Sequence, residues 1–100
     1  MEKNHFAILI AGLAKPGMEE YVKRYLKQMM EHSSHDAGCI TYNIHQSTEN
    51  PTEFMVYMLW DSKKSFDMHN LKPEMQEFKK QLAHQMFDLQ SPKTFWKLLA

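Results

Sequence analysis

The spacing of hydrophobic residues changes several times along the chain, and each change marks a predicted secondary-structure element. The segment Phe6–Ala14 is apolar throughout and is followed by Lys15, Pro16 and Gly17, which predicts a strand buried on both faces and ended by a turn. In residues 18–35, apolar positions recur every three or four residues with charged residues between them. That spacing predicts an amphipathic helix with one core-facing stripe.

The middle of the chain has the two-residue period of strands. In Cys39–Gln46, the residues Ile40, Tyr42 and Ile44 alternate with polar ones, which predicts a strand with one apolar face. Residues 47–53 are rich in turn formers and predict a hairpin loop. Residues 54–60 are wholly apolar, so we expect a central strand that is buried on both faces.

A helical region and a last strand are predicted in the remainder. Asp61 or Ser62 can cap a helix through a side-chain oxygen. Pro73 cannot lie deep inside a helix, so we expect a break at residues 70–72 and a fresh start after it. The apolar stripe of the second helix is predicted to consist of Met75, Phe78, Leu82, Met86 and Leu89. Residues 94–99 are predicted to form the last strand.

The order of these elements is strand, helix, strand, strand, helix, strand. This is the ferredoxin-like βαββαβ pattern of an α+β protein, and residues 1–100 are predicted to form one domain. Helices would cover one face of a four-stranded antiparallel sheet. Because the first and third strands are apolar on both faces, the second face also needs a cover. A second copy of the chain is the simplest one, which predicts a homodimer with the two sheets packed into a dimeric α+β barrel.

Charge and cysteine content narrow the possible partners. The chain has 12 Lys+Arg and 12 Asp+Glu, a balance that argues against binding to nucleic acid or to an anionic membrane surface. The apolar run Phe6–Ala14 is too short to span a bilayer, which needs roughly 20 residues. No convincing signal-peptide cleavage site follows it. With Cys39 as its only cysteine, the chain forms no internal disulfide, and we expect a cytoplasmic protein.

Short motifs spread over almost the whole chain resemble one protein family. They are Lys15-Pro16-Gly17, Gly38-Cys39 with Tyr42, Glu53-Phe54, Trp60-Asp61-Ser62, and Phe66-x-x-His69 followed by Pro73 and Phe78. In order and spacing they resemble the antibiotic biosynthesis monooxygenase family, which implies the dimeric barrel. Some members of that family oxygenate phenols, anthrones or quinols with O2 and without metal or organic cofactor. Others degrade haem, and one branch resembles the isomerase of phosphorylated autoinducer-2.

Three positions depart from the family pattern. Many members have a Glu two residues before the strand-end Trp, where this chain has Met58. The haem-degrading branch uses an Asn and a His at the positions of Ile10 and Lys79. Neither residue can replace them, so the resemblance argues against haem degradation, although Trp60 would match that branch's pocket Trp.

The resemblance makes His69 the candidate catalytic residue. A neutral imidazole can remove a proton from a phenol near physiological pH. The alternative role is that of a helix-end histidine that only satisfies a neighbouring carbonyl. Candidate substrate-binding residues are Trp60, Tyr42, Asn43, Tyr57, Met58 and Phe66. Trp60 would stack on a flat ring, the Tyr and Asn side chains would offer hydrogen bonds, and Met58 would help to line an apolar pocket. Simple core or interface packing is the alternative for each.

No metal or organic cofactor is expected from the motifs. Six histidines are present, but no pair has the spacing of the HExxH zinc motif. Cys39 has no His or basic neighbour in sequence, so we expect an inert thiol. A glycine-rich phosphate loop is also missing from the sequence, which gives no indication of a nucleotide cofactor.

The first functional hypothesis is an enzyme, a cofactor-independent monooxygenase that oxidises small quinol-like or polyphenolic aromatics with O2. Two alternatives stay open at this stage. One is an isomerase or lyase that acts on a small polar metabolite and uses the same histidine. The other is a non-catalytic protein that binds a small molecule on the same fold.

Overall fold

A computed structural model describes residues 5–83, 87–89 and 94–99. The strands are β1 (Phe6–Ala14), β2 (Cys39–Gln46), β3 (Glu53–Trp60), β4 (Phe87–Leu89) and β5 (Thr94–Lys97). The helices are α1 (Glu19–Ser33), α2 (Lys63–Asn70) and α3 (Pro73–Gln81). Within these ranges, no helix is both long and apolar enough to cross a membrane.

The strands form one antiparallel sheet in the order β2-β3-β1, with β4 and β5 together along the outer edge of β1. The strand β4 pairs with residues 12–14 and β5 pairs with residues 6–9, so two short strands share the fourth position. This architecture confirms the predicted ferredoxin-like βαββαβ fold.

Local sequence signals explain the helix boundaries. Ser62 is the N-cap of α2, and its Oγ accepts a hydrogen bond from the Ser65 backbone N–H at 3.2 Å. As predicted, α2 ends at Asn70 and α3 begins at Pro73, where a missing backbone N–H costs no helical hydrogen bond.

Two details of the prediction were wrong. The second helix was expected to extend to Leu89, but α3 ends at Gln81 and Leu89 lies in β4. Met86 lies outside the described residues. The segment Phe87–Leu89 hydrogen-bonds to the outer edge of β1, and this pairing overrides the helical spacing of its apolar residues. Ile40 was expected to share a face with Tyr42, but a β-bulge shifts the register there and leaves Ile40 49% exposed.

The core lies between one face of the sheet and the helices. Alternate residues of β3 belong to it, and they are Phe54, Val56, Met58 and Trp60. Helix α1 contributes Val22, Leu26 and Met29, α2 contributes Phe66, and α3 contributes Met75. The apolar residues that recur every two positions in the strand and every three to four positions in the helices therefore pack against each other in one core layer.

The opposite sheet face is also apolar. Leu9 pairs with Tyr57 in the register of β1 and β3, and the flanking positions of β3 are Met55 and Leu59. All four side chains are only partly buried. The helices cover one face of the sheet and leave this second one open in the single chain, so burial of the first and third strands on both faces stays a prediction.

Candidate functional site

A cavity of about 340 Å³ lies between the inner face of the sheet and the helices. Its walls are formed by Ile10, Leu26, Met29, Tyr42, Val56, Met58, Phe66, His69, Asn70, Met75, Lys79, Leu82 and Ala83. The volume lies at the lower end of the range for small-molecule sites. Most of the lining is aliphatic or aromatic, so the cavity suits a ligand with a small apolar body.

Four of the seven predicted site residues line this cavity. Tyr42 and Met58 are register partners on β2 and β3 and face it from the sheet. Phe66 and His69 lie three residues apart on α2 and face it from the helical layer. The fold therefore brings together residues from three separate segments.

The other three predicted residues lie elsewhere. Asn43 and Tyr57 are register partners at the positions of β2 and β3 adjacent to Tyr42 and Met58, and they point to the open sheet face. Trp60 is fully buried, and the centre of its ring lies 4.7 Å from that of His69. It therefore supports the histidine from behind instead of forming a wall of the cavity.

The orientation of His69 is fixed by Asp36, a residue that was not singled out from the sequence. His69 Nδ1 lies 2.8 Å from Asp36 Oδ2, and Lys72 Nζ donates a hydrogen bond to the other carboxylate oxygen. Since an ionised carboxylate only accepts hydrogen bonds, His69 Nδ1 must be the donor. A neutral His69 then carries its lone pair on Nε2, the nitrogen that remains for a ligand.

The loop between α1 and β2 holds Asp36 in place. The Asp36 N–H donates to the Ser33 carbonyl at 3.0 Å, and the Cys39 N–H donates to the Asp36 carbonyl at 3.1 Å. Gly38 has a φ of +86°, a conformation that side chains rarely adopt. This tight loop brings the carboxylate to a histidine that is 33 residues away in sequence.

The surroundings of Asp36 and His69 lower the pKa of both residues, which favours an ionised carboxylate and a neutral imidazole. Partial burial acts to raise the pKa of Asp36, but hydrogen bonds from Lys72 and His69 outweigh it and the pKa is lowered. Burial lowers the pKa of His69, and Lys79 and Lys72 add to that effect against the opposing influence of Asp36. The site therefore contains an ionised Asp36 and a neutral His69 at neutral pH.

Two further polar residues, Lys79 and Asn70, lie in the cavity wall next to His69. Asn70 follows His69 directly at the end of α2, and its Oδ1 accepts a hydrogen bond from Lys79 Nζ. Sequence reasoning considered Lys79 only as a departure from the family pattern and did not consider Asn70. Together with His69, these residues give the apolar cavity one polar region.

Two further titratable groups near the cavity, the Tyr42 hydroxyl and the Cys39 thiol, are held in their protonated forms. Burial raises the pKa of Tyr42, and the neighbouring Cys39 adds to the increase while a hydrogen bond with Ser33 opposes it. Burial and the negative charge of Asp36 raise the pKa of the Cys39 thiol, which agrees with the expected inert cysteine. Across the described segments, no group of three or more His, Cys, Asp or Glu side chains is arranged to bind a metal ion.

Comparison with known proteins gives a family and a fold. A family model described as antibiotic biosynthesis monooxygenase matches residues 6–81. None of the curated proteins matches the sequence. Among solved structures, protein SO0527 from Shewanella oneidensis is similar with a TM-score of 0.86 and 19% identity, over 97% of this chain and 93% of that one. Protein PA3566 from Pseudomonas aeruginosa gives a TM-score of 0.79 and 22% identity, over 100% and 96% of the two chains. At these identities the structural likeness shows the fold alone.

Proposed function

Since the chain belongs to the antibiotic biosynthesis monooxygenase family, we propose that it oxidises small quinol-like or polyphenolic aromatics with O2 and without a cofactor. The observation that carries this proposal is the neutral His69 in the wall of an apolar cavity, with its Nδ1–H bonded to Asp36. That arrangement offers the basic Nε2 of His69 to a ligand in a largely apolar cavity.

The first step of the proposed reaction is a proton transfer. The phenolic O–H of the substrate donates its proton to His69 Nε2, and the resulting imidazolium is stabilised by the Asp36 carboxylate. The phenolate passes one electron to O2, which gives superoxide and a phenoxyl radical. These recombine at an unsubstituted ring carbon and form a new C–O bond.

The remaining steps balance without an external reductant. The imidazolium returns its proton to the outer oxygen of the peroxide, and that oxygen leaves as water together with the hydrogen of the attacked carbon. A hydroquinone and O2 thus give a hydroxyquinone and water. The substrate loses four electrons, one oxygen atom enters the product, and the other is reduced to water.

The cavity residues have distinct roles in this proposal. Met58 and Phe66 provide apolar walls for the ring of the substrate, and the Tyr42 hydroxyl stays protonated as a hydrogen-bond donor or acceptor. Trp60 fixes the position of the His69 ring through their contact.

The proposed assembly is a cytoplasmic homodimer. Leu9, Met55, Tyr57 and Leu59 form a partly exposed apolar surface on the sheet face opposite the helices. A second copy would cover this surface, and Asn43 and Tyr57 would then belong to the interface and not to the cavity. In light scattering we expect a dimer mass for the native protein and a monomer mass for Leu59→Glu. A monomeric native protein at micromolar concentration would contradict the proposal.

O2 uptake is the direct test of the activity. Metal-stripped protein is mixed with a panel of hydroquinones and anthrone-like phenols, and uptake is compared with autoxidation in a protein-free blank. We expect uptake above the blank and its loss in His69→Ala, with unchanged circular dichroism. If a true substrate turns over equally well in His69→Ala, His69 is not the base. Tight binding of a quinone without any uptake would instead assign the protein a non-catalytic binding role.

A further inference from the structure

We propose that Ser33 orients the Tyr42 hydroxyl so that its oxygen, like His69 Nε2, accepts a hydrogen bond from the ligand, and that the preferred ligands are aromatic diols. This inference rests on the proposed function, because it assigns a second contact in the same cavity. It adds to that function the requirement that two oxygens of the ligand each carry a hydrogen.

The hydrogen bond from Ser33 to a methionine is the first support. Ser33 is the last residue of α1 and is fully buried, and its Oγ donates a hydrogen bond to Met75 Sδ at 3.3 Å. A thioether sulfur can only accept, so the single hydroxyl hydrogen of Ser33 is used in that contact. The Ser33 oxygen therefore has only lone pairs to offer to a further partner.

Tyr42 is this further partner. Its hydroxyl is hydrogen-bonded to Ser33, and burial keeps it protonated by raising its pKa. Because the hydrogen of Ser33 is already used, the Tyr42 O–H is the donor in this bond. The reverse arrangement would leave the Tyr42 O–H without an acceptor among the described residues, and buried donors nearly always have one. With its hydrogen directed to Ser33, the Tyr42 oxygen can only accept a hydrogen bond from a ligand.

One turn of the chain holds the partners of both Tyr42 and His69. The Ser33 carbonyl accepts a hydrogen bond from the Asp36 N–H at 3.0 Å, so the two residues are parts of the same turn. Asp36 accepts the Nδ1–H of His69, which leaves a lone pair on Nε2. Ser33 accepts the hydrogen of Tyr42, which leaves lone pairs on the phenolic oxygen. The cavity thus presents two acceptors whose own hydrogens are bound to buried partners.

Two acceptors select ligands by the hydrogens on their oxygens. Tyr42 and His69 line the same cavity. The other polar residues of its described wall, Asn70 and Lys79, are hydrogen-bonded to each other. An aromatic diol can donate to both acceptors, its monomethyl ether to one, and a quinone to neither. A site built to bind a ligand O–H disfavours analogues that lack the hydrogen, because its buried acceptor is then left unpaired. The quinone product of the proposed reaction should therefore bind more weakly than the diol substrate.

Anaerobic calorimetry with matched pairs of ligands tests the inference, since binding is then measured without turnover. Each pair consists of a benzenediol and its monomethyl ether, and the diols are catechol, resorcinol and hydroquinone. In the pair whose oxygen spacing fits the two acceptors, we expect the native protein to bind the diol roughly tenfold more tightly than the ether, the loss typical of one missing hydrogen bond to a buried group. Equal affinities within every pair would overturn the inference.

The variants distinguish a hydrogen bond from the bulk of the added methyl group. Tyr42→Phe should lose the preference because its affinity for the diol falls. Ser33→Ala should lose it because its affinity for the ether rises, since the Tyr42 O–H is then free to donate to the ether oxygen. Ser34→Ala removes the hydroxyl of the adjacent exposed serine, which donates to the Glu31 carbonyl, and should behave like the native protein. A preference that survives in Tyr42→Phe or Ser33→Ala, with circular dichroism like that of the native protein, would assign it to steric exclusion and overturn the inference.

The two proposals can fail separately in this design. A preference for diols that depends on Tyr42 and Ser33, in a protein that takes up no O2, would support the pair of acceptors and contradict the oxygenase. O2 uptake with hydroquinone in a protein that distinguishes no diol from its ether would contradict the pair of acceptors and support the oxygenase.

Discussion

Replacing Asp36 by Asn is the sharpest perturbation of the proposed base. The substitution keeps the shape of the side chain and an oxygen that can accept the His69 Nδ1–H, but it removes the negative charge. In the native protein this contact is 2.8 Å long, and the His69 and Asp36 side chains are 2% and 15% exposed. Solvent therefore screens the interaction only weakly.

The size of the effect follows from the two kinds of hydrogen bond. A bond to a charged group contributes about 1.5–3 kcal/mol and one between neutral groups about 0.5–1.5 kcal/mol. The difference is about 1–2 kcal/mol, which corresponds to a roughly 5- to 30-fold loss of rate. The loss should appear in kcat and leave KM nearly unchanged, because the carboxylate stabilises the imidazolium that forms during the reaction and does not contact the substrate.

The pH dependence of kcat/KM provides the assay, since it reports the pKa of the free enzyme's base. Activity requires neutral His69, so the rate should rise with pH through a His69 pKa that lies below 6.5. Asp36 acts to raise that pKa, and its loss should move the rise to lower pH. Lys72→Met removes a cation that lowers the same pKa and should move the rise to higher pH.

The opposite directions of these two shifts distinguish an electrostatic role from general damage to the fold. Asp36→Asn with an unchanged kcat and an unchanged pH profile would refute the reasoning. The same holds if both variants shift the profile in one direction. Asp36→Glu, which restores the charge on a longer side chain, is the rescue control and should recover part of the lost rate.

Two further predictions concern stability. In chemical denaturation, Gly38→Ala should lower the free energy of unfolding more than Gly17→Ala does. Both glycines have a positive φ, which costs other residues roughly 1–2 kcal/mol. An added Cβ collides with the Ser65 side chain at Gly38, whereas at Gly17 it meets nothing within 4 Å. Equal losses would contradict the collision. Because the folded state lowers the pKa of His69, the unfolded chain binds a proton more readily at this residue. The free energy of unfolding should therefore be independent of His69 above about pH 6.5 and fall as the pH drops below that value. His69→Gln should flatten that fall, and an identical slope in the variant would exclude His69 as its cause.

Most of the fold was predictable because its signals are local. The apolar run of Phe6–Ala14, the alternation in Cys39–Gln46 and the position of Pro73 each determine an element without reference to distant residues. The error at Leu89 has the opposite origin. Its segment pairs with residues 12–14. The spacing of apolar residues within the segment cannot indicate that a distant strand has an unpaired edge.

The candidate site was less predictable, for two different physical reasons. Asp36 meets His69 through a loop contact across 33 residues, and no spacing rule links them. The prediction that Tyr42, Asn43 and Tyr57 all contact the substrate was inconsistent with the two-residue period of a strand. Adjacent strand residues point to opposite faces, so Tyr42 and Asn43 cannot both line one cavity.

The burial of Trp60 against His69 gives the protein an optical reporter of its own. The two ring centres are 4.7 Å apart, and the indole has no contact with solvent. The other tryptophan, Trp96, is 59% exposed, so Trp96→Phe leaves Trp60 as the single indole fluorophore. A positive charge that appears on the imidazole changes the electric field across the indole and with it the energy of the emitted light. Fluorescence of that variant therefore follows the protonation of His69 directly, in the absence of any substrate.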